Sequence, residues 1–123
     1  MNTNRLRVLI ADDEEGIRES LGLILSQEFD VDFAEDGQQA LAKFNARHFD
    51  LLLLDIKMPK VDGLEIIRRL NERRATPAIL MLTAYQSVEL AKEAVRLGAR
   101  DYLSKPFERE QVLTAVHGIL AQS

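Results

Sequence analysis

The sequence contains no cysteine, which excludes disulfides, thiol chemistry and thiolate zinc sites and is compatible with the cytosol. Its amino-terminal stretch, MNTNRLRVLI, lacks the apolar region and cleavage site of a signal peptide. No apolar run approaches the ~18 residues of a membrane span. A soluble, cytoplasmic chain with no membrane contact is therefore expected. There is no Gly-x-Gly-x-x-Gly and no P-loop lysine, so the usual dinucleotide and nucleotide-triphosphate cradles are missing. Basic residues are outnumbered, 16 Lys and Arg against 20 Asp and Glu, for a formal charge of −4. Direct nucleic-acid binding, which relies on clustered cations, is not expected of such a chain. An acidic metal site remains open.

What is present is ordinary for a folded protein: 123 residues, 46% hydrophobic and 29% charged. That length suits one domain, 1–123 with a core over about 6–120, and leaves no material for a second core. The stretch around which the chain is organised is Asp50–Pro59, DLLLLDIKMP. Its four leucines read as a short strand buried on both faces, which delivers Asp55 to its own end. Leu6–Ala11 does the same with Asp12 and Asp13, and Ala78–Leu82 with Thr83.

Taken in order, Ile17, Leu21, Ile24, Leu25 and Glu28 mark one face of a first helix, with Asp13 as its cap. Val31, Phe33 and Ala34 make a second strand, and Ala40, Leu41 and Phe44 a second helix ending near Arg47. After the third strand, the Pro59 and Gly63 loop leads to a third helix through Leu64, Ile67 and Leu70. Its arginines, Arg68, Arg69, Arg73 and Arg74, interleave with Glu65 and Glu72 as a solvated face. A fourth helix from Val88 stops at Gly98, a fifth strand spans Asp101–Leu103, and Val112, Leu113, Val116, Ile119 and Leu120 form a last helix. His48 and His117 stand alone and read as surface or helix-packing residues. Alternation of this kind implies right-handed crossovers and a parallel sheet covered by helices on both sides, and five units are too few to close an eightfold barrel.

In an open sheet of this class, ligands bind outside the carboxyl ends of the strands. Asp12, Asp13 and Asp55 would meet there as hard oxygen donors of like charge, an arrangement relieved by a cation. Mg²⁺ is favoured because it uses few protein carboxylates and completes its octahedron with water and phosphate oxygens. Lys105 follows the fifth strand on the same edge, placed to pair with Asp55 or with a phosphoryl oxygen.

The acidic pair in LIADDEE, the acid in LLLLDIKMPKVDG, the hydroxyl in LMLTAY and the lysine in DYLSKPF together resemble the receiver domain of two-component response regulators. The resemblance runs from Val8 to about Leu120, and the stretch AYQSVELAKEAVRLGARDYLSKPF is similar to receivers of the sigma-54 activator type. It implies a flavodoxin-like, doubly wound α/β fold, with a five-stranded parallel sheet of order 2-1-3-4-5 and five helices. By position it makes Asp55 the phosphoryl acceptor. Asp12 and Asp13 would hold Mg²⁺ with Asp55 and the backbone carbonyl of Lys57, and Lys105 would pair with the phosphoryl group. Thr83 and Tyr102 become the switch pair, Lys57 and Tyr85 tune the lifetime of the phosphorylated form, and the Lys105–Pro106 bond is expected to be cis.

The family also implies the partners. These are a histidine kinase or phosphotransfer protein upstream, an output domain or effector downstream, and phosphorylation-dependent homodimerisation among the options. On this reading the chain is a phosphoacceptor that assists its own phosphotransfer and dephosphorylation, and is not otherwise an enzyme. An aspartyl-phosphate phosphatase would carry a second acid two residues after the first, where this chain has Lys57. A phosphorylation-independent binding module would be expected to have lost one of the acids, the hydroxyl or the lysine.

Overall fold

The computed structural model of the chain describes residues 5–73, 76–83 and 88–122. Strands and helices alternate: β1 (Arg7–Ala11), α1 (Glu15–Leu25), β2 (Asp30–Ala34), α2 (Gly37–Ala46), β3 (Leu51–Asp55), α3 (Gly63–Asn71), β4 (Ala78–Thr83), α4 (Val88–Arg96), β5 (Asp101–Ser104) and α5 (Arg109–Leu120). All strand pairs are parallel, in the order β2-β1-β3-β4-β5. This is the expected flavodoxin-like sheet with its five helices.

The unbroken apolar runs follow from a sheet covered on both faces, because a strand turns alternate side chains to opposite sides. Leu9, Leu52, Leu54, Ile79 and Met81 point to one side, where they pack with Ala40 of α2, Ile66, Ile67 and Leu70 of α3, and Ala91 and Ala94 of α4. Val8, Ile10, Leu51, Leu53, Leu80 and Leu82 point to the other, against Leu21 and Leu25 of α1 and Val112, Val116 and Ile119 of α5. Leu51 to Leu54 are all fully buried. Each such side chain contributes about 1.5–3 kcal/mol by leaving water, so this run is the chief anchor of the sheet's centre.

Several boundaries differ from the sequence reading. Leu6 is 41% exposed and lies outside β1, while β4 and β5 each continue one residue further, to Thr83 and Ser104, because those two residues pair with one another. Asp13 does not cap α1. Glu14 occupies the cap position without a side-chain capping bond, and Asp12 Oδ1 accepts the Glu14 N–H at 2.9 Å instead. Glu28 lies beyond the end of α1 and meets His117 Nε2 at 2.8 Å, and His48 likewise faces Asp50 at 3.0 Å. Both histidines are surface residues, each with an acid partner that the sequence reading did not assign. Gly98 has φ +125° past α4, the left-handed conformation expected of it, and Lys105–Pro106 is cis. Arg68 and Arg69 pair with Glu65 on the exposed face of α3, and Arg73 donates to Asn45; Arg74 lies outside the described residues. Among the described residues no helix is long and apolar enough to cross a membrane.

Candidate functional site

Two neighbouring strands deliver three acids to one place. Ala11 pairs with Leu54 in the parallel register of β1 and β3, so the next residues, Asp12 and Asp55, emerge side by side at the carboxyl edge. One carboxylate oxygen from each of Asp12, Asp13 and Asp55 lies within 4.8 Å of the other two. Asp12 is wholly buried and Asp55 is 7% exposed, whereas Asp13 faces solvent.

The buried acids are held by directed contacts. The Asp12 backbone N–H donates to Ala34 O at 3.1 Å, and its carbonyl accepts from the Arg18 guanidinium at 2.7 Å. Oδ1 accepts the Glu14 N–H, while Oδ2 sits 2.8 Å from Lys105 Nζ as an ion pair. Asp55 Oδ1 accepts the Lys57 N–H at 3.2 Å, and Oδ2 lies 3.5 Å from Lys105 Nζ. Lys105 reaches this position because its N–H donates to Thr83 O at 2.8 Å, directly after the β4–β5 pairing ends. Its ammonium is shared further with Glu14 Oε1 at 3.2 Å.

Electrostatics follow from this crowding. Burial, reinforced by the negative charge of Asp12, pushes Asp55 up from the ordinary 3.8 to about 6. Burial raises Asp12 as well, against the opposing pull of Lys105. Burial works against the Lys105 charge, yet its bond to Asp12 and the field of Asp55 hold it above its ordinary value. One ammonium thus serves two buried carboxylates with Asp13 and Glu14 beside them, an excess of negative charge around hard oxygen donors. Three carboxylates, each with an oxygen within 4.8 Å of the other two, two of them buried and only one ammonium to balance them, fit Mg²⁺.

The remaining expected residues fall into place unevenly. Thr83, 1% exposed, follows Leu82, the register partner of Asp55, and so ends its strand on the same edge. Lys57 is exposed in the loop after β3, beside a hollow of about 430 Å³ lined by Asp13, Met58, Pro59 and Leu64 among others. Tyr102 lies on the edge strand β5, two strands from Asp55, paired with Met81 and 38% exposed. Tyr85 lies outside the described residues. The sequence reading missed Glu14 and Arg18. The first adjoins the acidic pair in LIADDEE and could have been noticed; the second is recognisable only once α1 brings it back over Asp12.

The chain matches the response regulator receiver domain family over residues 8–117. It is 42% identical to the transcriptional regulatory protein TrcR of Mycobacterium tuberculosis over 119 residues, 96% of this chain and 46% of that protein. It is 38% identical to the transcriptional regulatory protein ResD of Bacillus subtilis over 122 residues, 98% of this chain and 50% of ResD. The chain therefore spans about half the length of these curated relatives. Among solved structures, the receiver domain of NtrX from Brucella abortus superposes with a TM-score of 0.89 at 30% identity, covering 94% of this chain and 99% of that one. The matched segment takes in every strand end described above, and with sequence and fold in agreement the chain belongs to the response regulator receiver domain family, the phosphorylation-dependent switches of two-component signalling.

Proposed function

We propose that this chain accepts a phosphoryl group on the carboxylate of Asp55 from a partner histidine kinase or phosphotransfer protein. The observation that carries the reading is the position of Asp55. It ends the central strand, is nearly buried, and lies among two further acids and a lysine. A carboxylate oxygen of Asp55 attacks phosphorus in line, the phosphorus–nitrogen bond to the donor histidine breaks, and the electron pair returns to the imidazole. Asp12, Asp13 and Asp55, with the backbone carbonyl of Lys57, would hold Mg²⁺. When bound, the ion would offset charge on the transferring oxygens. Lys105 supplies a further positive charge 3.5 Å from the Asp55 carboxylate, and the Lys57 N–H keeps that carboxylate oriented.

Thr83 and Tyr102 would supply the switch. A phosphoryl oxygen at Asp55 would accept a hydrogen bond from the Thr83 hydroxyl, drawing the end of β4 inward, and Tyr102 would turn into the space released. The surface of α4, β5 and α5 then differs between the two states, as a two-state element requires. That surface would control an output domain or separate effector, with phosphorylation-dependent dimerisation as one route. TrcR and ResD are transcriptional regulatory proteins by name, and control of transcription is the output proposed here, exerted through a partner or further domain.

The test is incubation with Mg²⁺ and a small phosphodonor, followed by intact mass measurement and peptide mapping. One phosphoryl adduct on Asp55 is expected, absent from Asp55→Asn and absent with excess chelator. An adduct on another residue, or one that forms equally well with the chelator, contradicts the assignment.

A further inference from the structure

The loop after β3 carries Lys57, and it is held in an unfavourable backbone conformation by a separate element, the start of α2. Lys60 has φ +74°, in the left-handed region that a lysine avoids. Around it the Val61 N–H donates to Pro59 O at 2.9 Å, closing a three-residue γ-turn of the rare, strained hand. Asp36 and Gly37 grip that turn. Asp36 Oδ2 lies 3.5 Å from Lys60 Nζ, while its Oδ1 accepts Gln39 N–H and caps α2. The Gly37 N–H donates to the same Pro59 O at 3.3 Å. A Cβ on Gly37 would lie 2.0 Å from Val61 O, so the two backbones are packed as closely as only glycine allows. At the far end Gly63 N–H returns to Ile56 O at 2.8 Å. Between these two ties, Ile56 and Met58 are buried while Lys57 faces outward.

We infer that the Asp36–Gly37 clasp on Pro59, Lys60 and Val61 is a positioning element for the metal site. It would hold the strained turn so that the Lys57 N–H stays on Asp55 and the Lys57 carbonyl stays available to Mg²⁺. The inference rests on the Mg²⁺ site proposed above. A clasp that maintains strain becomes dispensable once the strain is removed, and glycine adopts φ +74° without cost. That gives a signature which general loosening of the fold does not share.

The experiment is a titration with Mg²⁺ alone, followed through the Lys57 and Val61 amide resonances, together with urea unfolding of the metal-free protein. Asp36→Asn keeps an oxygen for capping but loses the charge that faces Lys60, and should weaken Mg²⁺ binding about fivefold, the lower end of ordinary coupling between sites. Adding Lys60→Gly should restore most of that affinity. Gly37→Ala should weaken binding at least as much and resist the same rescue, because its fault is steric; should that variant not fold, the Asp36 pair carries the test. Wild-type binding with an unchanged Asp36→Asn overturns the inference, and so does a loss that Lys60→Gly leaves in place. Absence of Mg²⁺ binding by the wild type overturns the site itself, and the clasp's role with it.

Discussion

Lys105 Nζ stands 2.8 Å from Asp12 Oδ2 but 3.5 Å from Asp55 Oδ2, so the lysine proposed to pair with the phosphoryl group rests nearer the neighbouring acid than the acceptor. Its side chain is 17% exposed and Asp12 is wholly enclosed, so this is a buried pair whose disruption leaves an uncompensated charge. Lys105→Met should therefore destabilise the metal-free protein by about 2–3 kcal/mol at pH 7.5, somewhat below the usual range for breaking a buried pair, because Asp12 can protonate. At pH 4.5 the loss should shrink. Urea unfolding at the two pH values measures it, and equal losses would show that Lys105 matters through packing rather than charge.

Asp55 should make the metal-free protein weaker at neutral pH. A carboxyl raised in the folded state contributes stability that is complete below the unfolded value of 3.8 and lost as pH rises through about 6. A rise of that size corresponds to about 3 kcal/mol. Asp12 is raised too and acts in the same sense. Asp32, where burial is outweighed by the bond to Lys43, and Asp36, where the Gln39 N–H holds the charge, act in the opposite sense. The clean quantity is therefore the difference between Asp55→Asn and wild type. In the presence of chelator the variant should be more stable by about 2–3 kcal/mol at pH 7.5, with the gap closing near pH 4. A gap that does not vary with pH would contradict the assignment of the shift to Asp55.

Mg²⁺ should raise stability, and more so at pH 7.5 than at pH 5.5, since the ion competes with protons for Asp12 and Asp55. At one hundred times its dissociation constant the gain is about 2.7 kcal/mol. Asp13→Ala should weaken the metal more than Asp12→Ala. Both oxygens of Asp12 already face donors, Glu14 N–H and Lys105, whereas Asp13 is the exposed acid of the three. Calorimetric titration of the two variants decides this, and equal losses would remove the distinction.

Most of the architecture was legible because the chain has continuous apolar runs where strands are covered twice, and each run ends in the residue that matters. Leu51 to Leu54 and the acid after them state the central strand and its cargo together. Helix starts were harder. Asp13 looked like the cap of α1, but adjacent acids compete for that place, and it is Asp12 whose carboxylate turns under Glu14. The clasp was not readable at all: nothing local to Asp36 and Gly37 says that they will close against Lys60 and Val61. Long-range contacts between two loops leave no periodicity behind.

The two sides of the sheet bury separate sets of side chains, and the principal helix contacts stay within a side: α1 with α5, and α2 with α3 with α4. The sheet therefore acts as a partition between two helical walls. A protein that gripped one wall would leave the other uncovered, and the strand ends, where the acids lie, border both.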